Sequence, residues 1–283
     1  MAPLLISKDP PSTIRVGTSC SCTSCASVDV VSMETYVQRG LNDEWISSWS
    51  QHSLRSGAVA YRSYGAYYVE HPISGTYDIC STTCCQVYDT DTATSTNTAG
   101  ARTAGILLQR GGLTFRSEYS AENNAWDDPN DGLNCSNGDL SCGDGYAGSP
   151  STSWPCLSDS LCAGHGCFGH GRGMCQWGTQ RWALTGGRLF NWITNHYYNA
   201  SGSGTGYRTA QMTAPFELPS AAPNPSEVEA GSSFTIQASA DNLADLSHDW
   251  ILIGASIYSP STGYISDPPG DTAVSLEIGR AHV

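Results

Sequence analysis

The chain reads as an α+β protein with a small β-sandwich-like module behind it, on three observations. Between Ser50 and Val69, residues Leu54, Ala58, Tyr61, Tyr64 and Tyr68 recur at helical steps, the spacing of one buried stripe. Leu107–Arg110 and Leu113–Tyr119 flank Gly111-Gly112, a pair suited to a hairpin turn. Beyond Gly206 there is no cysteine, and short alternating runs such as Ser233–Ala238 lie between turn signals at Asn224-Pro225, Ser259–Gly263 and Pro268-Pro269-Gly270. The expected organisation is a main domain over 1–199, a linker over 200–209 and a β-rich accessory module over 210–283 that stops without a convincing final strand.

The remaining elements follow from local signals. Ser12–Gly17 suits a short strand, Ser19–Cys25 a cysteine-rich turn, and Ser27–Ser32 alternates weakly. Ser32 is the expected N-cap of a helix starting at Met33, with Glu34 in its first turn. His71-Pro72 ends the long helix of the first paragraph. Gly100–Leu108 reads as a short helix, as do Thr179–Leu184 and Leu189–Tyr198. Asn123 to Phe168 has little periodicity and carries five cysteines, so crosslinks are expected to hold it as one wall of a groove.

Composition narrows the function classes. With 283 residues the chain can hold one large domain, or a medium domain and a small one. Its 13 Lys and Arg against 26 Asp and Glu give a formal charge of −13, which argues against nucleic acid as a partner. Twelve cysteines, none beyond Cys175, read as up to six disulfides in an oxidising compartment. A zinc cluster at Cys162, His165, Cys167 and His170 has plausible spacing and is the competing reading. Met1–Gly17 holds no apolar run long enough for a leader or a membrane span, so an exported protein would have had its leader removed or omitted. The expected location is secreted, extracellular or periplasmic, with no transmembrane segment.

Two stretches carry chemistry. Gly169–Gly178 packs four glycines around His170, Arg172, Gln176 and Trp177, a tight loop whose side chains can orient a polar ligand and stack on it. Glu44 lies between two helical patterns with Trp45 and Trp49 beside it. A carboxyl against aromatic surface loses hydration, which raises its proton affinity and suits it to protonate a leaving oxygen.

Those stretches stand in an order that resembles the stage II sporulation protein D family of bacterial peptidoglycan lytic transglycosylases. The family's opening block is matched by Val31–Val37 followed by Asp43–Trp49, and its helix ending Ala-Ala-Arg-Thr-Tyr by His52–Tyr64. Gln86-Val87-Tyr88 matches its Gln-Val-Tyr, Gly169–Gly178 its glycine signature, and His196-Tyr197-Tyr198 its His-Tyr-Tyr. The likeness covers about Ser12 to Asn199. Departures are Asp43 for the glycine before the glutamate, Trp45-Ile46 for Met-Pro, His52 and Gly57 in the following helix, and Ser120–Asn124 without the usual glycines. The cysteine-rich insertion is foreign to the simplest members.

The resemblance implies a SpoIID-like catalytic domain with Glu44 as the acid that cleaves between N-acetylmuramic acid and N-acetylglucosamine, leaving a 1,6-anhydro end. The nucleophile is then the muramoyl 6-hydroxyl, so one protein carboxylate suffices; some family members bind zinc through Cys and His near the Ser120–Asn124 region, but those ligands have no match here, and no cofactor and no metal are expected. Asp43 is a candidate modulator of Glu44. Trp45 and Trp49 are candidates for stacking on sugars, and His170, Arg172 and Gln176 for positioning them. Gln86 is a candidate substrate-binding residue whose alternative, shared with Arg62, is structural support; Tyr36 is a candidate core residue. The implied partner is the peptidoglycan glycan strand. The alternative function is a noncatalytic cell-wall-binding or structural module of a surface or phage-like assembly. A cysteine protease is disfavoured, because Cys175 occupies a position where the family carries serine.

Overall fold

The computed structural model describes residues 10–122, 161, 165, 168–169, 173–199 and 210–213, together with the backbone of seven strands between 216 and 282. The chain divides into two compact units, Met1–Ala214 and Pro215–Val283.

In the first unit, β1 (Thr13–Ser21) pairs antiparallel with β2 (Ser24–Ser32), in a register running from Thr13 opposite Ser32 to Ser21 opposite Ser24. Both strands therefore run through the cysteine-rich stretch expected to be a turn. Disulfides explain how it holds this shape: Cys20 joins Cys25 across the pair, and Cys22 joins Cys84. Ser19 and Cys22 sit at φ of 53° and 54°, a left-handed conformation uncommon away from glycine.

The first helix, α1 (Met33–Glu44), starts where Ser32 predicts, with its side chain accepting from the Thr35 N–H at 3.0 Å. It continues further than the sequence pattern suggests, so Glu44 belongs to its last turn. The long helix α2 (Gln51–Glu70) is capped by Ser50, whose side chain accepts from the His52 N–H. It is not a one-stripe helix: every residue from Ser56 to Ser63 is buried. Its serines, glycines and alanines let neighbours approach on all sides, and a Cβ on Gly57 would lie 2.5 Å from the Trp45 ring.

After α2, β3 (Ile79–Cys80) lies parallel to β1, and a third disulfide joins Cys80 to Cys85. Helix α3 (Thr94–Ala101) precedes the position expected for it, and Leu107-Leu108, expected at its end, belong to β4 (Leu107–Arg110). Both leucines are fully buried, and a short apolar run fits a buried strand as well as a helix. Gly111-Gly112, at φ of 61° and 79°, turns the chain into β5 (Leu113–Thr114).

Next come β6 (Tyr119–Ser120) and, parallel to it, β7 (Met174–Cys175), which leads directly into α4 (Gln176–Leu184). The second half of the glycine-rich stretch is thus strand and helix rather than the loop expected there. Gly173 explains why glycine is required at its centre: at φ of 71°, an added Cβ would lie 1.8 Å from the Glu118 carbonyl oxygen. Helix α5 (Phe190–Tyr198) follows, and β8 (Gln211–Thr213) pairs with β4, so this unit includes residues 210–213.

Helix α2 is the axis of the unit, with α1, α3, α4 and α5 all packed on it. Arg62, 0% exposed, fastens α2 to α1 through two hydrogen bonds to the Glu34 carboxylate, at 2.9 and 2.7 Å. Its remaining donors reach the Thr103 hydroxyl and the Gly100 and Ile106 carbonyls, so the buried cation is fully occupied.

The unit from Pro215 to Val283 contains β9 (Phe216–Asn224), β10 (Thr235–Asn242), β11 (His248–Ile253), β12 (Ile257–Ser259), β13 (Gly263–Ser266), β14 (Thr272–Leu276) and β15 (Gly279–His282). They pair antiparallel as β15-β10-β9, β11-β14 and β12-β13. The β-rich expectation holds for these residues, whereas a closed sandwich does not appear among them.

Candidate active site

Glu44 is the focus of the first unit. Its position at the end of α1 brings it against the segment Gln86-Val87, which the Cys80–Cys85 and Cys22–Cys84 disulfides anchor from its N-terminal side. The Val87 N–H donates to Glu44 Oε1 at 2.7 Å, while the Val87 carbonyl accepts from the Tyr61 hydroxyl at 2.9 Å. That residue is held from both sides, so the donor facing Glu44 is fixed. From the start of α4, Gln176 Nε2 donates to the Glu44 backbone carbonyl at 2.7 Å and reaches Oε2 at 3.4 Å.

The two carboxylate oxygens are therefore unequal. Oε1 is committed to a short backbone bond, whereas the Gln176 contact to Oε2 is long. Burial is the main influence on the Glu44 carboxyl and raises its pKa, with the negative charge of Asp43 adding to the rise. The bonds from Val87 and Gln176 oppose it, since each favours the anion. The resulting acid is held neutral more readily than an exposed glutamate, with Oε2 the oxygen left for its proton.

Behind the carboxyl lies a buried tyrosine cluster. Tyr36 and Tyr61 have ring centroids 4.8 Å apart, and the Tyr36 hydroxyl bonds Gln86 Oε1. Gln86 Nε2 in turn donates to the Tyr119 hydroxyl at 2.9 Å. Burial pushes the pKa of Tyr36, Tyr61 and Tyr119 upward, which keeps all three neutral.

Of the residues singled out in the sequence, Glu44, Gln86 and Gln176 meet in one place. Gln86 is 1% exposed and bonds to tyrosines, the supporting position that is its alternative role. Tyr36 is core, and Arg62 is the structural tie described above. Trp45 is 1% exposed: its ring packs 4.8 Å from Tyr119 and its Nε1 donates to Thr179 Oγ1 at 3.3 Å. A ring so enclosed presents no open face to a saccharide, which leaves Trp49 as the tryptophan of the pair able to do so. Trp49 lies against Trp177, centroids 4.8 Å apart, and Trp177 keeps an exposed surface. Trp177 also lines a groove with Phe168, Leu184, Arg181 and Glu122, where Arg181 pairs with the Glu122 carboxylate. His170 and Arg172 lie outside the described residues, as do Cys162, Cys167 and His170 of the zinc reading; His165 is exposed.

Asp43 faces the other way. Its Oδ2 accepts from the Asp89 N–H at 2.8 Å, and burial raises its pKa to about 6, helped by repulsion from Asp89 and Asp91. Ligand atoms of these three carboxylates lie within 4.8 Å of one another, close enough to share a cation, although such acidic groups are common without one. Two contributors to the site carry no sequence signal of their own: the Val87 donor is backbone, and Tyr119 joins it through its bond from Gln86.

The site centres on one half-buried carboxyl whose pKa is raised, held by the Val87 and Gln176 donors on an α+β framework joined by disulfides. Residues 21–109, which contain Glu44, Gln86 and Val87, match SpoIID, the family described as stage II sporulation protein. The match suggests a peptidoglycan-associated role for the chain. No curated protein matches it. Among the described residues, no helix is long and apolar enough to cross a membrane.

Proposed function

We propose that the protein is a lytic transglycosylase that cleaves the bond between N-acetylmuramic acid and N-acetylglucosamine in peptidoglycan, with Glu44 as its acid. One observation carries this reading: Glu44 is a carboxyl that burial favours in the protonated form, with Oε1 tied to Val87 and Oε2 left for the proton. The proton on Oε2 passes to the glycosidic oxygen as its bond to the muramoyl anomeric carbon breaks. The muramoyl 6-hydroxyl then forms the new bond to that carbon and returns its proton to Glu44. Atoms balance without water, and the acid regains its starting state. The negative charge that forms on Glu44 when it gives up the proton is met by the donors already in place.

Substrate contacts in this proposal come from Trp49 and Gln176, with His170 and Arg172 retained from the glycine-rich stretch. The formal charge of −13 gives no long-range attraction to an anionic wall, so recognition rests on short-range sugar contacts. The test is product mass spectrometry on purified glycan strands, comparing wild type with Glu44→Gln. Wild type is expected to release 1,6-anhydro products and Glu44→Gln to be slower by at least about 100-fold, the lower range for a lost general acid. Strand binding without cleavage by wild type would instead support the noncatalytic wall-binding reading.

A further inference from the structure

Helix α4 has two working faces. Gln176 and Thr179 meet Glu44 and the Trp45 indole. Trp177, Gln180, Arg181 and Leu184 follow at the spacing of the adjoining helical face, and together they line a groove of about 450 Å³. Phe168 lines it as well, 63% exposed, and its backbone is located by the Glu122 N–H, which donates to the Phe168 carbonyl at 2.9 Å. The groove and the acid are neighbours: Gln176, which bonds Glu44, precedes Trp177 in the chain, and Trp177 packs on Trp49 with centroids 4.8 Å apart.

Two properties of the groove define what it can hold. The first is its charge. Arg181 and Glu122 are bonded to one another, with side chains 17% and 4% exposed, so the acid and the arginine of the groove offset each other. Apart from this pair, the exposed His165 is the titratable side chain among its described residues. The second is a donor whose identity is fixed. The Ser50 N–H donates to Gln180 Oε1 at 2.8 Å, which decides which end of the amide is oxygen and leaves Nε2 as the donor end. Among the described residues, Gln180 Nε2 has no acceptor. Aromatic surface beside a neutral donor suits a sugar ring, whose C–H face is apolar and whose rim carries acceptors.

We propose that this groove is a saccharide subsite for the glycan strand beyond the ring that meets Glu44, with Phe168 and Trp177 against an N-acetylhexosamine and Gln180 Nε2 donating to its acetamido carbonyl. The proposal rests on the reading of the protein as a strand-cleaving enzyme and adds residues outside the acid's own contacts. A stem peptide, the other part of the polymer, brings charged groups that a lining with a self-paired arginine and glutamate does not match. The subsite tightens strand binding and leaves bond cleavage to Glu44.

Binding is read without turnover in the Glu44→Gln protein, by calorimetric titration with a tetramer of N-acetylglucosamine, a neutral saccharide with no lactyl carboxylate and no stem peptide. Two variants in that background test the groove. Phe168→Ala removes an exposed ring, and Gln180→Glu keeps an oxygen for the Ser50 N–H while removing the amide donor. Each should weaken tetramer binding about fivefold, with an unfolding midpoint close to the parent's. With Glu44 restored, Phe168→Ala should raise KM for glycan strands by a similar factor and leave kcat nearly unchanged. Tetramer affinities equal to the parent's in both folded variants, or no binding of the tetramer by the parent, would overturn the proposal. So would a loss confined to strands that carry stem peptides, which would make the peptide the occupant. Failure of the acid reading is separate: Glu44→Gln would then cleave strands undiminished, whatever the groove variants do to binding.

Discussion

Replacing Asp43 by Asn is expected to stabilise the protein at neutral pH and leave it almost unchanged in acid. The Asp43 carboxyl is moved from an ordinary 3.8 to about 6, first by burial and then by Asp89 and Asp91. A carboxyl that binds its proton more tightly in the folded state gives its full stability below pH 3.8 and loses it as pH rises through about 6. A shift of about two units corresponds to at most about 3 kcal/mol. Asp43 is only half-buried and its two acidic neighbours are exposed, so solvent and salt reduce this to about 1 kcal/mol. Asn keeps the oxygen that accepts the Asp89 N–H, and so removes the charge without removing the bond. The assay is urea unfolding of both proteins at pH 3.5 and 7.5, in low and high salt. The variant should gain about 1 kcal/mol at pH 7.5 only, and less of it in high salt. A gain of equal size at pH 3.5, or a loss at pH 7.5, would refute the reasoning.

Other perturbations test the framework around the site. Arg62→Ala leaves the cavity of a fully buried cation, takes the Arg62 partner from the Glu34 carboxylate and from the Ile106 carbonyl, and should lower the unfolding free energy by about 3 kcal/mol; a loss below about 1 kcal/mol would contradict the tie described here. Gly173→Ala places a Cβ against the Glu118 carbonyl at positive φ, and should cost at least about 2 kcal/mol in thermal unfolding while displacing Gln176 from Glu44; an unchanged melting temperature would remove the case for that glycine. The Cys22→Ser/Cys84→Ser pair opens a loop with a sequence separation of 62, worth about 4 kcal/mol in the chain-entropy account. Denaturant midpoints would show this, and cleavage should fall with it because the segment leading to Val87 loses an anchor.

The sequence reading and the structure agree most where one residue decides an element by its own chemistry. Ser32 starts α1 because it offers an oxygen to a helix N–H that lacks a partner. Gly111-Gly112 turns a hairpin because both positions need positive φ. Agreement weakens where the outcome depends on what packs from outside. The periodicity of α2 marks one face, yet its small residues admit neighbours all round, a consequence visible only once Trp45 and Tyr36 are seen against Gly57 and Gly65. Leu107-Leu108 suit helix and strand equally until β8 arrives from about a hundred residues away to pair with them.

The site divides along the same line. Glu44, Gln86 and Gln176 are legible as polar residues in recognisable stretches. The Val87 donor is not, because any residue except proline carries that N–H. Tyr119 is hidden because aromatic residues in a short strand ordinarily signal core. Trp45 misleads for the reverse reason: a tryptophan next to an acid reads as an open platform, whereas here it closes the back of the site. Its place after Glu44 at the end of α1 turns its ring toward α2 and Thr179, not toward solvent.

The central claim is that Glu44 holds a proton when an ordinary glutamate would have lost it. The most direct measurement is the 13C titration of glutamate carboxyls in the folded protein, with Glu44→Gln used to assign the resonance that disappears. The account predicts that this resonance titrates above the other glutamates. A Glu44 carboxyl that ionises with them, or below them, would contradict it.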